Sequence, residues 1–242
     1  MSQDSRYFRQ LILAGVGEEG QEKLARAKVL VIGTGGLGSP ILYYLAAAGV
    51  GTLGIVDDDR VDITNLQRQI LHWEKDLDRP KTESAVEKLR SFNSTLQYLP
   101  VAGRLTEQNA GTLIQGFELV ISAVDNRETR TILNRVCYRA GIPWIDGGIR
   151  EYTGTVTVFA PPKGPCYECI YEHPAVRPEG PIPLLGALPG VIGSIEAMEA
   201  IKWILSIGTP LSGRVLIYDA WAGRFEEFTP RQDPDCPICG LR

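Results

Sequence analysis

Residues 33–38 read Gly-Thr-Gly-Gly-Leu-Gly, and what flanks them constrains the fold more tightly than any other feature of the chain. Before them, Lys28 to Ile32 is an apolar, β-branched run. After them, Leu37, Ile41, Tyr44, Leu45 and Ala48 recur at helical spacing and Gly49 supplies a stop. A second strand is expected over Thr52 to Asp57. Strand, glycine turn, helix and strand make a βαβ unit, whose right-handed crossover sets its two strands parallel. The expected fold is therefore α/β, with a Rossmann-like, doubly wound and mostly parallel sheet.

The rest of the chain extends this plan. Lys81 to Phe92 and Arg127 to Ala140 read as helices, the latter closed by Gly141 and Pro143; Leu96 to Val101 and Leu119 to Val124 read as strands. Beyond Gly148 the pattern changes. Thr153 to Phe159, Arg214 to Tyr218 and Arg224 to Phe228 are expected as antiparallel strands extending the sheet, with an apolar helix over Val191 to Ser206. A polar, helical lead-in occupies residues 1–27, with Leu11, Ile12 and Leu24 as its apolar anchors. Residues 161–190, dense in Pro and Gly, read as a crossover loop region, a length that is uncommon without a function.

Composition narrows the partners. A net charge of −4 gives no electrostatic reason to expect nucleic acid. No apolar stretch approaches the roughly 18 residues of a membrane span, and residues 1–10 are too polar for a secretory signal, so the expected address is the cytoplasm.

The glycine loop admits two chemistries. Gly33 would permit the tight turn, Gly35 and Gly36 would let backbone N–H groups approach phosphate oxygens, and Gly38 lies where the helix opens with its positive dipole end. Asp57, about twenty residues on at a strand end, would accept hydrogen bonds from ribose hydroxyls. Taken alone, this fingerprint reads as an NAD-dependent oxidoreductase. The run from Asp57 through Asp59, Asn65, Arg68 and Gln69 to Lys81 argues otherwise, because hydride transfer has no use for two cations and several carboxylates beside the phosphate loop. Adenylyl transfer does, since a carboxylate attacking an α-phosphate needs Arg, Lys or a metal to neutralise the charge that builds there. Arg68 and Lys81 are the candidate cations, against the plain alternative of solvated surface residues. Asp125, at the end of the strand Leu119 to Val124, is the Mg²⁺ candidate, with the N-cap of the following helix as its other reading.

Four of the five cysteines form two pairs, Cys166-x-x-Cys169 and Cys236-x-x-Cys239. Two such knuckles supply the four thiolates of a tetrahedral structural Zn²⁺ site, which would tie the Pro-rich region to the C-terminal tail, residues 229–242. With four thiolates available His173 is not expected as a ligand, His72 has no assigned role, and Cys137 reads as a buried apolar cysteine.

Taken together, Arg6-Tyr-Phe-Arg9-Gln, Gly-Thr-Gly-Gly-Leu-Gly-Ser, Asn65-Leu-Gln-Arg-Gln69, Arg79-Pro-Lys81, Ala123-Val-Asp125-Asn, Pro165-Cys-Tyr-Glu-Cys169, Pro189-Gly-Val-Ile-Gly193 and Pro234-Asp-Cys-Pro-Ile-Cys239 resemble the MoeB/ThiF/HesA family from about Arg6 to Gly240. The resemblance implies a single ThiF-type adenylation domain over residues 1–242. It also implies a homodimer that uses ATP to adenylate the C-terminal Gly-Gly of a β-grasp, ubiquitin-like sulfur carrier for molybdopterin, thiamin or related sulfur chemistry. On this chain it implies that Asp57 holds the ribose, Arg68 and Lys81 the triphosphate and Asp125 the Mg²⁺, with Asp59 and Asn65 in the same nucleotide set. Arg9 is implied to reach the partner subunit's site as an arginine finger. A non-catalytic scaffold that only docks a β-grasp protein would be signalled by loss of Arg68, Lys81 or Asp125, and all three are present.

One departure stands out. Family members commonly carry a cysteine where the register here places Glu179, so the reaction is expected to stop at the acyl-adenylate. No rhodanese-like segment follows the last knuckle, and a separate sulfur donor is expected.

Overall fold

The computed structural model describes residues 5–171 and 183–240. Two short helices, α1 (Phe8–Leu11) and α2 (Gly17–Arg26), lead into β1 (Lys28–Ile32), α3 (Gly38–Ala48), β2 (Thr52–Asp57), α4 (Lys81–Phe92) and β3 (Gln97–Ala102). There follow α5 (Ala110–Leu113), β4 (Leu119–Ser122), α6 (Arg127–Ala140), β5 (Trp144–Arg150) and β6 (Thr153–Phe159). The chain continues through α7 (Tyr167–Ile170), α8 (Leu188–Leu205), β7 (Val215–Asp219) and β8 (Arg224–Phe228).

The strands form one sheet in the order β3-β2-β1-β4-β5-β6-β7-β8. The first five run parallel and the last three pair antiparallel, which matches the expected parallel sheet with an antiparallel extension. β1 pairs with β2 on one side and β4 on the other, Ile32 lying opposite both Val56 and Ser122. The carboxyl ends of three strands are thereby level, at the point where the order reverses, which is where open α/β sheets bind ligands.

Alternation along each strand sorts the core into two layers. Val29 and Val31 face one side with Leu53, Ile55, Leu119 and Ile121, against α3, α4 and α8. Leu30 and Ile32 face the other side with Val56, Val120 and Trp144, against α5 and α6. Each large aliphatic side chain removed from water in this way contributes about 1.5–3 kcal/mol, so a polar substitution on either face of β1 would weaken the strand that carries the glycine loop.

Several boundaries differ from expectation, each for a local reason. β4 stops at Ser122, two residues early, because Ala123 turns away beside Gly33: a Cβ on Gly33 would lie 2.5 Å from the Ala123 carbonyl oxygen. β5 has no counterpart in the sequence reading, since its Asp146-Gly147-Gly148 has low strand propensity, and pairing with β4 and β6 overrides it. α8 begins at Leu188 rather than Val191, because Pro189 falls in its first turn, where a missing N–H costs nothing. β3 and β7 lie one residue further along than expected.

Candidate active site

The glycine loop is shaped by backbone contacts. Gly33 has φ 99°, and a Cβ on Gly38 would collide with the Gly33 carbonyl oxygen, so neither position tolerates a side chain. Gly35 and Gly36 face two neighbouring segments. A Cβ on Gly35 would meet Gln69 Nε2 at 3.4 Å, and one on Gly36 would meet Pro189 Cβ at 3.1 Å and Arg68 Cγ at 3.4 Å. The loop after β1, the segment 65–69 and the start of α8 therefore converge.

Asp57, at the end of β2, accepts hydrogen bonds from the Thr34 backbone N–H (2.7 Å) and hydroxyl (2.8 Å) at Oδ2, and from the Asp59 N–H (2.9 Å) at Oδ1. It thus ties the glycine loop to the run after β2. The carboxylates of Asp57, Asp58 and Asp59 lie within 4.8 Å of one another, and Lys81 is set against them. Lys81 is the first residue of α4, its side chain is only 4% exposed, and its Nζ lies 2.8 Å from Oδ2 of the exposed Asp59. A solvated surface lysine is thereby excluded here. Arg68, half-buried, donates to the Thr64 carbonyl at 3.2 Å, and Asn65 accepts the Arg68 and Gln69 N–H groups in the same turn.

Asp125 follows β4 and is exposed at the sheet's carboxyl rim. It is not the cap of α6: Asn126 is, its side chain accepting the Thr129 N–H at 2.9 Å. The backbone leading to Asp125 is pinned by half-buried Arg130, which donates to the Val124 carbonyl (2.7 Å), the Gly147 carbonyl (2.8 Å) and Asp146 (2.8 Å).

Arg9 is not brought to this site. α1 docks at the far end of α3, where Gln10 donates to the Ala48 carbonyl at 3.1 Å and Tyr7 OH accepts from Asn93. The 11 residues of α3 separate that end from the glycine loop by about 16 Å.

His72 received no role from the sequence, yet it is buried against the loop, with Nε2 3.0 Å from the Thr34 carbonyl oxygen and Nδ1 2.8 Å from Ser84 Oγ. Burial lowers its pKa to about 4, the hydrogen bond to Thr34 opposing and the nearby Lys81 charge assisting. An unfolded histidine titrates near 6.5, so this ring contributes stability that is complete above that pH and is lost as the pH falls toward 4. No signal in the sequence marks it, because its partners are a backbone carbonyl and a serine twelve residues away.

The four knuckle cysteines meet. Cys166 Sγ lies 4.0 Å from Cys169 and 3.6 Å from Cys236, Cys169 lies 3.3 Å from Cys239, and all four sulfurs fall within 4.8 Å of one another. Tetrahedral Zn–S bonds of 2.3 Å require sulfurs about 3.8 Å apart, so the cluster could hold a zinc ion. Asn134 of α6 donates to Cys166 Sγ at 3.4 Å and the Asp233 N–H to Cys169 Sγ at 3.5 Å, contacts that suit thiolates. Burial pushes the Cys166 thiol up from its ordinary value, and a bound cation would favour its thiolate. Cys137 is fully buried with its thiol pushed to about 12, an inert core residue as expected. His173 and Glu179 lie outside the described residues. Among those described, no helix is long and apolar enough to cross a membrane.

A glycine loop at the switch point of a parallel sheet, with an aspartate at the neighbouring strand end, defines a Rossmann-like nucleotide-binding protein. The family profile described as "ThiF family" matches residues 7–238. The chain is 43% identical over 246 residues to the sulfur carrier protein adenylyltransferase of Thermus thermophilus, spanning 97% of this chain and 90% of that one. It is 42% identical over 240 residues to the molybdopterin-synthase adenylyltransferase of Salmonella typhimurium, spanning 97% and 96% respectively. The crystal structure of E. coli MccB with MccA-N7isoAsn shares the fold at a TM-score of 0.88 and 23% identity, over all of this chain and 76% of that one. The chain belongs to the ThiF family and is an adenylyltransferase. Of the two chemistries open to the glycine loop, membership selects adenylyl transfer.

Proposed function

We propose that this enzyme uses ATP to adenylate the C-terminal glycine of a ubiquitin-like, β-grasp sulfur carrier ending in Gly-Gly. The observation that carries the reading is the buried Lys81 cation held by Asp59, directly beside the loop that Asp57 ties down. An oxygen of the carrier's terminal carboxylate bonds to the α-phosphorus while the bond to the bridging oxygen of the β-phosphate breaks, giving carrier-AMP and pyrophosphate. Negative charge grows on the phosphate oxygens as this happens, and pre-placed cations and loop N–H groups stabilise it without reorganising. Lys81 and Arg68 are the cations in this reading, Gly35 and Gly36 offer the N–H groups, Asp57 takes the ribose, and Asp59 and Asn65 line the same pocket.

Asp125 is the residue that would hold Mg²⁺, which neutralises phosphate charge when bound. Cys166, Cys169, Cys236 and Cys239 would hold a structural Zn²⁺. Residues 1–242 act in this proposal as one adenylation domain, in the cytoplasm, with sulfur supplied by a separate donor.

The position of α1 supports a shared site. α1 sits at the end of α3 away from its own glycine loop, and in this reading the arginine finger comes from a second copy of the chain. The test mixes Arg9→Ala with Lys81→Ala and reads carrier-AMP by intact mass as an added AMP. Each variant alone should yield little product, and the mixture should recover activity from the one intact site in each heterodimer. No recovery would take Arg9 out of the partner's site, and no carrier-AMP from the unmodified enzyme would remove the whole reading.

A further inference from the structure

The mechanism leaves unused a buried line of four polar groups that starts at Lys88 and ends on the glycine loop. Lys88 and Ser84 both lie on α4, the helix that opens with Lys81, and both are buried. Lys88 pairs with buried Asp76 and donates to Ser84 Oγ at 2.9 Å. A carbonyl oxygen can only accept, so the ring proton of neutral His72 sits on Nε2 and is donated to the Thr34 carbonyl oxygen at 3.0 Å. Nδ1 is then the acceptor, and the Ser84 hydroxyl donates to it at 2.8 Å. Every direction in the line follows from the carbonyl at its end.

Its two ends matter. Thr34 is the residue whose N–H and hydroxyl bind Asp57, and Ser84 sits one turn along α4 from Lys81. The line therefore spans the gap between the loop that would cradle the phosphates and the helix that would bring the cation to them. We propose that His72 is a positioning residue of the adenylyl-transfer site, fixing the glycine loop relative to the Lys81 helix through Thr34 and Ser84. This rests on the adenylation reading above. His72 touches no reacting atom in this arrangement; it acts through the spacing of groups that do, where an error of about 1 Å can cost about a hundredfold.

The test uses the intact enzyme with ATP, Mg²⁺ and a Gly-Gly carrier, and compares His72→Leu, which keeps neither hydrogen bond, with His72→Gln, which can supply one donor and one acceptor. His72→Leu should lower kcat about ten- to hundredfold with KM for ATP changed about threefold or less, and His72→Gln should restore most of kcat. Where His72→Leu does not fold, Ser84→Ala carries the test and should lower kcat about three- to tenfold. A role confined to packing would lower the melting temperature of the variants and leave kcat per folded enzyme unchanged, and that result overturns the proposal. An inactive unmodified enzyme would instead remove the adenylation reading, and this inference with it.

Discussion

Replacing Lys81 by Ala should lower carrier-dependent ATP–pyrophosphate exchange by about a hundredfold or more, equivalent to about 2.7 kcal/mol of transition-state stabilisation. The size of the effect follows from burial. A lysine whose side chain is 4% exposed acts through little screening water, so its attraction for charge developing on a phosphate is far greater than that of a solvated ammonium. The loss should fall mainly on kcat, since the phosphate charge it meets is greatest in the transition state. Stability should change little, because the carboxylate left behind on Asp59 is 68% exposed and rehydrates. Asp59→Asn is accordingly a weaker change than Lys81→Ala. A normal exchange rate in Lys81→Ala would take this residue out of the site.

Removal of the metal has the larger expected effect on the fold. Protein purified without added metal should carry about one Zn²⁺ per chain, and chelation or Cys236→Ser should lower the melting temperature by roughly 10 °C or more, at about 2–4 °C per kcal/mol for a chain of this size. Little else anchors this region. Among the described residues, the apolar cluster around Cys166, Cys236 and Cys239 contains only Tyr138, Cys169 and Ile238 besides, and the segment after β8 has no regular secondary structure. The cluster packs against α6 through Asn134 and Tyr138, whereas the glycine loop packs against Gln69, Arg68 and Pro189, so nucleotide binding should survive in the Cys236→Ser protein. Metal-free protein of undiminished stability would contradict the zinc assignment.

What the sequence disclosed and what it hid divide along the range of the interactions involved. β1, β2, α4, α6, β6 and β8 fall on the residues that periodicity and caps indicate, because each is set by its own alternation, by a glycine such as Gly141 in the left-handed region, or by Pro80 just ahead of α4. The cysteine knuckles were legible because paired Cys-x-x-Cys spacings seldom arise by chance, and the four sulfurs do meet. β5 was not, since its strand character comes from β4 and β6 on either side and not from Asp146-Gly147-Gly148. The capping of α6 by Asn126 in place of Asp125 is a choice between adjacent residues that only backbone geometry makes. His72, and the docking of α1 at the far end of α3, depend on contacts between segments distant in sequence, which no local pattern of residues marks.

In the proposed reaction the carrier's terminal carboxylate is the nucleophile. Its most direct test is the exchange of labelled pyrophosphate into ATP by the purified enzyme with Mg²⁺, measured with no carrier, with a β-grasp carrier ending in Gly-Gly, and with the same carrier lacking its last glycine. Exchange needs the adenylate to form and revert, so label should enter ATP only with the intact Gly-Gly carrier. Equal exchange without carrier, or none with any Gly-Gly carrier, would contradict it.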